Sequence, residues 1–162
     1  VLETARGGII RSGLGFDYCD IGVVMNVAAD HLGLKDVNTL EDLARVKSVV
    51  PRAVSRKGYA VLNAEDDLVY AMKEMVEGKV VCFSMDENHP NIKRRAERGR
   101  VSCVYENGYV TILKGKWKVR IEKVVNVPLT YGGRAEFMIQ NVLPRHSRAL
   151  STAFRSKTCV LD

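Results

Sequence analysis

The chain has 162 residues, of which 46% are hydrophobic and 27% are charged, a composition that supports one domain with a core and excludes disordered and fibrous proteins. No apolar run approaches the roughly 18 residues that span a bilayer, and no signal peptide is recognisable, so we expect a cytoplasmic protein without a membrane partner. The formal charge of +6 is concentrated in residues 93–100 and 144–162. Neither segment is interleaved with aromatic residues, which predicts solvated loops rather than a nucleic-acid surface.

The first half of the chain alternates strand and helix patterns. Its opening residues read as the end of a strand that Glu3 closes, and residues 21–27 are apolar on both faces, as in a central parallel strand. Further along, residues 59–62 predict a strand, residues 65–77 a helix closed by Gly78, and residues 79–84 another strand. This β-α-β-α-β order predicts a parallel sheet with flanking helices.

Another helix, which runs on from Leu40, is predicted between the strands at residues 21–27 and 59–62. Thr39 is placed to cap it, with Asp42 three residues later as its capping-box partner. Lys47 falls on the apolar stripe of this helix. Pro51 should kink or end the helix near Val50.

The second half of the chain changes to an antiparallel pattern. Residues 101–105 and 109–113 flank Asn107-Gly108, which favours a type I′ hairpin turn. After the turn Gly115-Lys116, residues 117–121 predict a third strand. We therefore expect a small antiparallel β subdomain packed beside the parallel sheet, followed by a helix that Val142-Leu143 opens.

The cysteines carry no metal-binding spacing. No pair among the four has a C-x-x-C pattern, and Cys82 and Cys103 lie in apolar, strand-like runs. This predicts buried thiols rather than disulfides or zinc ligands.

Two candidate metal-binding positions follow predicted strands. Glu3 closes the first strand, where its carboxylate can bind Mg²⁺ or remain a solvated charge. Asp30-His31 follows the strand over residues 21–27, the place where open α/β sheets bind ligands. His31 can ligate a metal or be a satisfied turn histidine, and Asp30 can orient its ring or cap the following turn.

Two further residues have both a chemical and a structural interpretation. A neutral Lys47 amine could take up CO₂ to form a carbamate that sits near Mg²⁺, or Lys47 could extend its ammonium group into solvent. Asn63 could hydrogen-bond a nucleotide or cap the next helix. The phosphate-binding pattern Gly-x-x-x-x-Gly-Lys-Ser/Thr does not occur, and Gly115-Lys116 is expected to be a turn.

Several segments together resemble the central domain of the Mur ligase superfamily. They are Leu2-Glu-Thr-Ala-Arg-Gly-Gly-Ile9, Gly13-Leu-Gly-Phe-Asp17, Asn26 to Gly33, Val46-Lys47, Gly58 to Asp66, Phe83-Ser-Met-Asp86, and Pro128 to Asn141. The similarity is greatest to the branch of the superfamily that extends poly-aspartate chains. It covers about residues 1–143, which are expected to form a partial α/β Mur ligase central domain.

The resemblance implies an ATP-dependent amide ligase. Such enzymes convert a carboxylate to an acyl phosphate that an amine then attacks. Here the resemblance implies that arginine is joined to the aspartate side chains of an acidic polypeptide, with ATP and Mg²⁺ as cofactors. Arginine or aspartate would be the amino-acid substrate, and the full-length parent is expected to be a homo-oligomer.

The resemblance also implies roles for individual residues. Glu3 and His31 match the Mg²⁺ ligands of the family, and Lys47 matches its carbamylated lysine, so Lys47 and His31 are the expected catalytic residues. The expected nucleotide- and substrate-binding residues are Asn26 and Asp30 at the pocket floor, Asn63 on the nucleotide side and Asn141 near the adenine.

The chain also departs from the family pattern. The phosphate loop of the family is expected upstream of Val1. After Leu143 the alanine-rich helix of the family is replaced by Pro-Arg-His-Ser-Arg. We therefore expect residues 144–162 to be a divergent tail, frameshifted or disordered, and the fragment alone to be inactive. The alternatives are a standalone non-catalytic module that uses its basic loops to bind an acidic partner, and a decayed product without function.

Overall fold

The computed structural model describes residues 2–29, 37–147 and 158–161. The chain divides into two compact units, the first formed by residues up to Val80 together with the strand at 158–161, and the second beginning at Val81. Among the described residues, no helix has the length and apolar character needed to cross a membrane.

The first unit is a parallel sheet with helices. Its elements are β1 (Leu2–Glu3), α1 (Arg6–Ser12), β2 (Cys19–Val24), α2 (Leu40–Lys47), α3 (Val49–Arg52), β3 (Val54–Asn63), α4 (Asp67–Ala71), a 3₁₀ helix (Met72–Met75), the start of β4 (Lys79–Ser84), and β8 (Thr158–Leu161). Strand β8 pairs in parallel with both β1 and β2, and β2 pairs in parallel with β3. The predicted α/β class with a mostly parallel sheet is confirmed.

The second unit carries the antiparallel strands. Its elements after β4 are α5 (Pro90–Glu97), β5 (Val101–Glu106), β6 (Tyr109–Lys114), β7 (Trp117–Lys123), 3₁₀ turns at Val124–Asn126, Pro128–Thr130 and Glu136–Met138, and α6 (Ile139–Ser147). Strand β5 pairs in parallel with β4, and β6 is antiparallel to both β5 and β7. Helix α5 connects β4 to β5, so that β5 runs parallel to β4. The other edge of β5 pairs with β6, and the antiparallel strands therefore continue the sheet of β4 rather than packing beside it.

Short sequence patterns predict the start of helix α2 and the turn between β5 and β6 correctly. Thr39 and Asp42 form the predicted capping box, with the Thr39 hydroxyl accepting from the Asp42 N–H at 3.1 Å. Asn107 and Gly108 have φ values of 48° and 82°, as a type I′ turn requires. Helix α2 ends at Lys47, slightly before the predicted position, because the ring of Pro51 is incompatible with a helical bond to the Lys47 carbonyl.

Strand β2 ends at Val24, three residues earlier than predicted. Beyond it, side chains replace the hydrogen bonds of the sheet. The Asn63 amide donates to the Met25 carbonyl at 3.0 Å, and the Val27 N–H donates to the Asp66 carboxylate at 2.6 Å. The backbone of this segment is therefore satisfied without an extended strand.

The helix predicted over residues 65–77 is shorter than expected, covering Asp67–Ala71 with a 3₁₀ turn at Met72–Met75, and the predicted Gly78 cap is wrong. Asp66 caps α4 by accepting from the Val69 N–H, and the helix gives way to the 3₁₀ turn after Ala71. Gly78 instead allows a close backbone approach, since a Cβ there would lie 2.6 Å from the Ser55 carbonyl oxygen.

The last helix also differs from the sequence-based expectation. Helix α6 begins at Ile139, three residues before the predicted start, and includes Pro144. The proline ring deprives the Gln140 carbonyl of its helical partner, but Gln140 is exposed, so water can satisfy that carbonyl.

Candidate active site at the end of the parallel sheet

Polar residues collect at the carboxyl end of the parallel strands in the first unit. Glu3, the last residue of β1, is in register with Val160 of β8, which is in register with Val23 of β2. Asn26 lies two residues beyond the end of β2, and Asn63 is the last residue of the neighbouring β3. Three of the predicted site residues thus share one edge of the sheet, the edge where α/β folds bind ligands.

Lys47 is the most unusual side chain at this edge. Helix α2 presents it on its inward stripe, and it has no exposed surface at all. Its Nζ atom donates to the Asn26 carbonyl oxygen at 2.9 Å and lies 3.5 Å from the Asn26 Oδ1 atom. The amine is therefore not extended into solvent, and burying such a group is costly unless polar atoms receive it. Asn26 itself is exposed, so the amine lies directly beneath a surface residue.

Asn63 is held by backbone groups at both ends of its side chain. Besides the bond to Met25, its Oδ1 atom accepts from the Glu65 N–H at 2.9 Å. It is not the helix cap that its position suggested, because Asp66 has that role.

Asp66 is the residue that sequence reasoning missed. One oxygen caps α4 through Val69, and the other holds the Val27 N–H beyond β2. The Asn-Ala-Glu-Asp spacing contains a capping signal at Asp66, but its second bond reaches 39 residues back along the chain. Asp66 therefore holds the backbone at Val27, next to the predicted site residue Asn26.

The oxygen donors at the sheet edge suit a hard cation. Glu3 is exposed and offers a carboxylate, and Asn26 offers an amide oxygen; both donor types match the preference of Mg²⁺. Within the part of the chain that the structure describes, no three His, Cys, Asp or Glu residues form a metal-binding group. Asp30 and His31 lie outside the described residues.

Asn141 belongs to the second unit. It lies on α6 and is exposed, and its Nδ2 atom is 3.7 Å from the Met138 Sδ atom. Its predicted place near an adenine stays a prediction.

The cysteines whose side chains are described are buried thiols outside any disulfide, as predicted: Cys19, Cys82 and Cys103. Burial raises the pKa of the Cys103 thiol to about 12, and a hydrogen bond with Ser147 only partly opposes this. The thiol therefore stays protonated at neutral pH, and Cys103 is a core residue rather than a nucleophile.

The first unit thus has the form of a ligand-binding α/β sheet with a buried amine at its carboxyl edge. Comparison with known proteins identifies the family of the chain. The Mur ligase middle domain matches residues 1–143, and the chain belongs to this family.

The relatives found by comparison are ligases and synthetases. Over 143 residues the chain is 59% identical to the cyanophycin synthetase of Crocosphaera subtropica and 56% identical to that of Synechocystis sp.. In both cases the match covers 88% of this chain and 16% of the relative. A UDP-N-acetylmuramoyl-tripeptide–D-alanyl-D-alanine ligase of Mycobacterium tuberculosis is 42% identical over 66 residues, which are 41% of this chain and 12% of that ligase. The chain thus spans about one sixth of the length of its cyanophycin synthetase relatives.

Proposed function

We propose that this chain is the central domain of an ATP-dependent amide ligase of the cyanophycin synthetase type, active as part of a longer protein. The observation that carries the proposal is the fully buried Lys47, whose amine is held at the carboxyl edge of the parallel sheet. Membership of the Mur ligase middle-domain family and the identity to cyanophycin synthetases support it.

Lys47 is assigned as a lysine that becomes a carbamate. Its neutral amine attacks CO₂, forming an N–C bond and releasing one proton, so that an uncharged amine becomes an anion with two oxygens. The remaining N–H can keep the bond to the Asn26 carbonyl, which now lies 2.9 Å from Nζ. The site would thereby gain oxygen donors without moving α2.

The other assigned residues complete the proposed metal and substrate site. Glu3 and His31 would hold Mg²⁺ with the Lys47 carbamate, and Asn26 and Asp30 would form the pocket floor. Bound Mg²⁺ would supply electrostatic stabilisation of phosphate and carboxylate charge.

The nucleotide-side assignments are Asn63 and Asn141. Asn63 uses both ends of its amide on Met25 and Glu65, so its contribution is to fix the backbone that faces the nucleotide. Asn141 would contact the adenine of ATP.

The proposed reaction joins arginine to an aspartate side chain of an acidic polypeptide. Phosphoryl transfer from ATP makes the carboxylate an acyl phosphate, and the amine of arginine displaces the phosphate to form the amide. Because these 162 residues contain no phosphate-binding loop of the Gly-Lys-Ser/Thr type, we expect the chain alone to hydrolyse no ATP. A homo-oligomeric, cytoplasmic parent protein is part of the same proposal.

A chimera tests the proposal. Residues 1–143 of this chain replace the matching segment of the Crocosphaera subtropica cyanophycin synthetase, and ATP-dependent incorporation of arginine into the polymer is measured. We expect an active chimera whose rate falls at least about 100-fold on Lys47→Ala, because a metal-site charge is lost.

The matched control is Lys57→Ala, which truncates an exposed lysine of β3 and should leave the rate within about twofold. Circular dichroism establishes that each variant is folded. An inactive chimera, or a folded Lys47→Ala chimera with full activity, contradicts the proposal.

A further inference from the structure

Two glycine turns of the second unit meet at a surface groove. Gly99 follows α5 and Gly115 connects β6 to β7, and both have positive φ, 64° and 60°, which favours glycine. A Cβ at Gly115 would lie 3.8 Å from the Gly99 Cα atom, so the two turns are in contact. Together with Lys114, Lys116 and Trp117 they line a groove of about 540 Å³.

Two exposed lysines line this groove, and two exposed arginines are sequence neighbours of Gly99. Lys114 and Lys116 line it directly, and Arg98 and Arg100 adjoin Gly99 on either side. Among the described residues, none of the four forms an ion pair with a carboxylate. Their charges therefore remain available to an anionic ligand.

Other cations nearby are already used by the fold. Lys118 and Arg120 on β7 both pair with Glu106, at 3.0 and 3.1 Å. Arg95 is buried and donates to the Ser102 hydroxyl and the Val101 carbonyl. Lys114 and Lys116 differ from these cations in two ways: they line the groove, and neither has an ion pair among the described residues.

Trp117 adds an apolar contact surface beside these charges. Its side chain is 78% exposed, although a large aromatic side chain usually stabilises a fold by burial. Where Gly99 lines the groove, no atom lies within 4 Å of the position that a Cβ would take, so bare backbone faces the ligand. An extended chain can approach closely at such a position.

We propose that this groove, lined by Lys114, Lys116 and Trp117 together with Gly99 and Gly115, binds an acidic polypeptide. Carboxylates of the ligand pair with Lys114 and Lys116, its backbone passes over Gly99, and the indole packs against it. Single-stranded nucleic acid is disfavoured because stacking uses successive aromatic side chains, and Trp117 is the one aromatic side chain among the described residues that line the groove. None of these residues belongs to the proposed ligase site, and the proposal does not depend on ligase activity.

The chain provides its own reporter for this test. Trp117 is its single tryptophan, so indole emission reports directly on the groove. A peptide of ten aspartates is titrated into the chain at low salt, and we expect a saturable change in emission that weakens as NaCl is added.

Charge reversal then locates the binding site. Lys116→Glu lies in a turn and should weaken peptide binding about fivefold or more. The matched control Lys57→Glu makes the same charge change at an exposed lysine of β3 that has no ion pair among the described residues, and it should change affinity less than twofold.

Three results would overturn the proposal. The first is absence of binding at low salt, and the second is equal weakening by Lys116→Glu and Lys57→Glu. The third is tighter binding of a ten-nucleotide oligothymidylate than of the peptide, which would make the groove a nucleic-acid site.

Discussion

Lysine side chains are held in opposite ways in the two compact units. In the first unit Lys47 is completely buried and donates to a backbone carbonyl at the end of a parallel sheet. In the second unit Lys114 and Lys116 are exposed beside a groove, while Lys118 on β7 pairs with the carboxylates of Glu87 and Glu106. The same residue type thus serves a buried site, a surface available to ligands and a structural ion pair.

This difference shows how little the total charge says about function. The +6 charge of the chain includes buried, paired and free cations alike. Only the surroundings of each lysine decide its chemistry: burial of an amine points to reactivity, whereas exposure without a carboxylate partner points to binding.

Gly58→Ala tests the close packing of the first unit, which contains Lys47. A Cβ at Gly58 would lie 2.5 Å from the Asp20 carbonyl oxygen and 3.0 Å from the Val54 Cγ1 atom, so the backbone of β2 must move. We expect the free energy of unfolding, measured by urea titration, to fall by about 2 kcal/mol or more.

The control is Gly8→Ala in α1, where a Cβ meets no atom within 4 Å. It should be neutral or stabilise the protein by up to about 1 kcal/mol, because alanine favours a helix. Equal effects of the two substitutions would mean that the strands of the first unit are not tightly packed at Gly58.

Glu106 tests the paired cations of the second unit. Hydrogen bonds from Arg120 and then Lys118 lower the pKa of its carboxyl group from 4.5 to about 2. Its ionised form is therefore favoured by folding, and the stability that it contributes is present above pH 4.5 and is lost as the pH falls towards 2. We expect the stability difference between wild type and Glu106→Gln, from thermal unfolding, to shrink across this window.

A difference that stays constant from pH 6 to about pH 2 would show that Glu106 is not held by its cationic neighbours. We expect Glu106→Gln to change the free energy of unfolding less than Gly58→Ala does, because the partners Lys118 and Arg120 are partly exposed to solvent.

Elements that depend on neighbouring residues could be predicted from the sequence. The capping box of Thr39 and Asp42 and the turn at Asn107-Gly108 each need only four or fewer residues in sequence. The inward position of Lys47 followed from helical periodicity, and this identified the central residue of the candidate site.

Features that depend on distant residues could not be predicted. Strand β2 stops at Val24 because side chains about 40 residues ahead satisfy the backbone that follows it: Asn63 and Asp66. Gly78 looked like a helix cap, but its role is to admit the carbonyl oxygen of Ser55, 23 positions before it in the sequence. Local patterns carry no information about such contacts.

The most direct test of the account is whether Lys47 forms a carbamate. The chain is equilibrated with ¹³C-bicarbonate and MgCl₂, and the carbamate carbon is followed by NMR. The account predicts a carbamate resonance that disappears in Lys47→Arg, whose guanidinium cannot take up CO₂, and persists in Lys57→Arg. No carbamate resonance, or one that survives Lys47→Arg, would contradict the assignment of Lys47 as the reactive residue of the site.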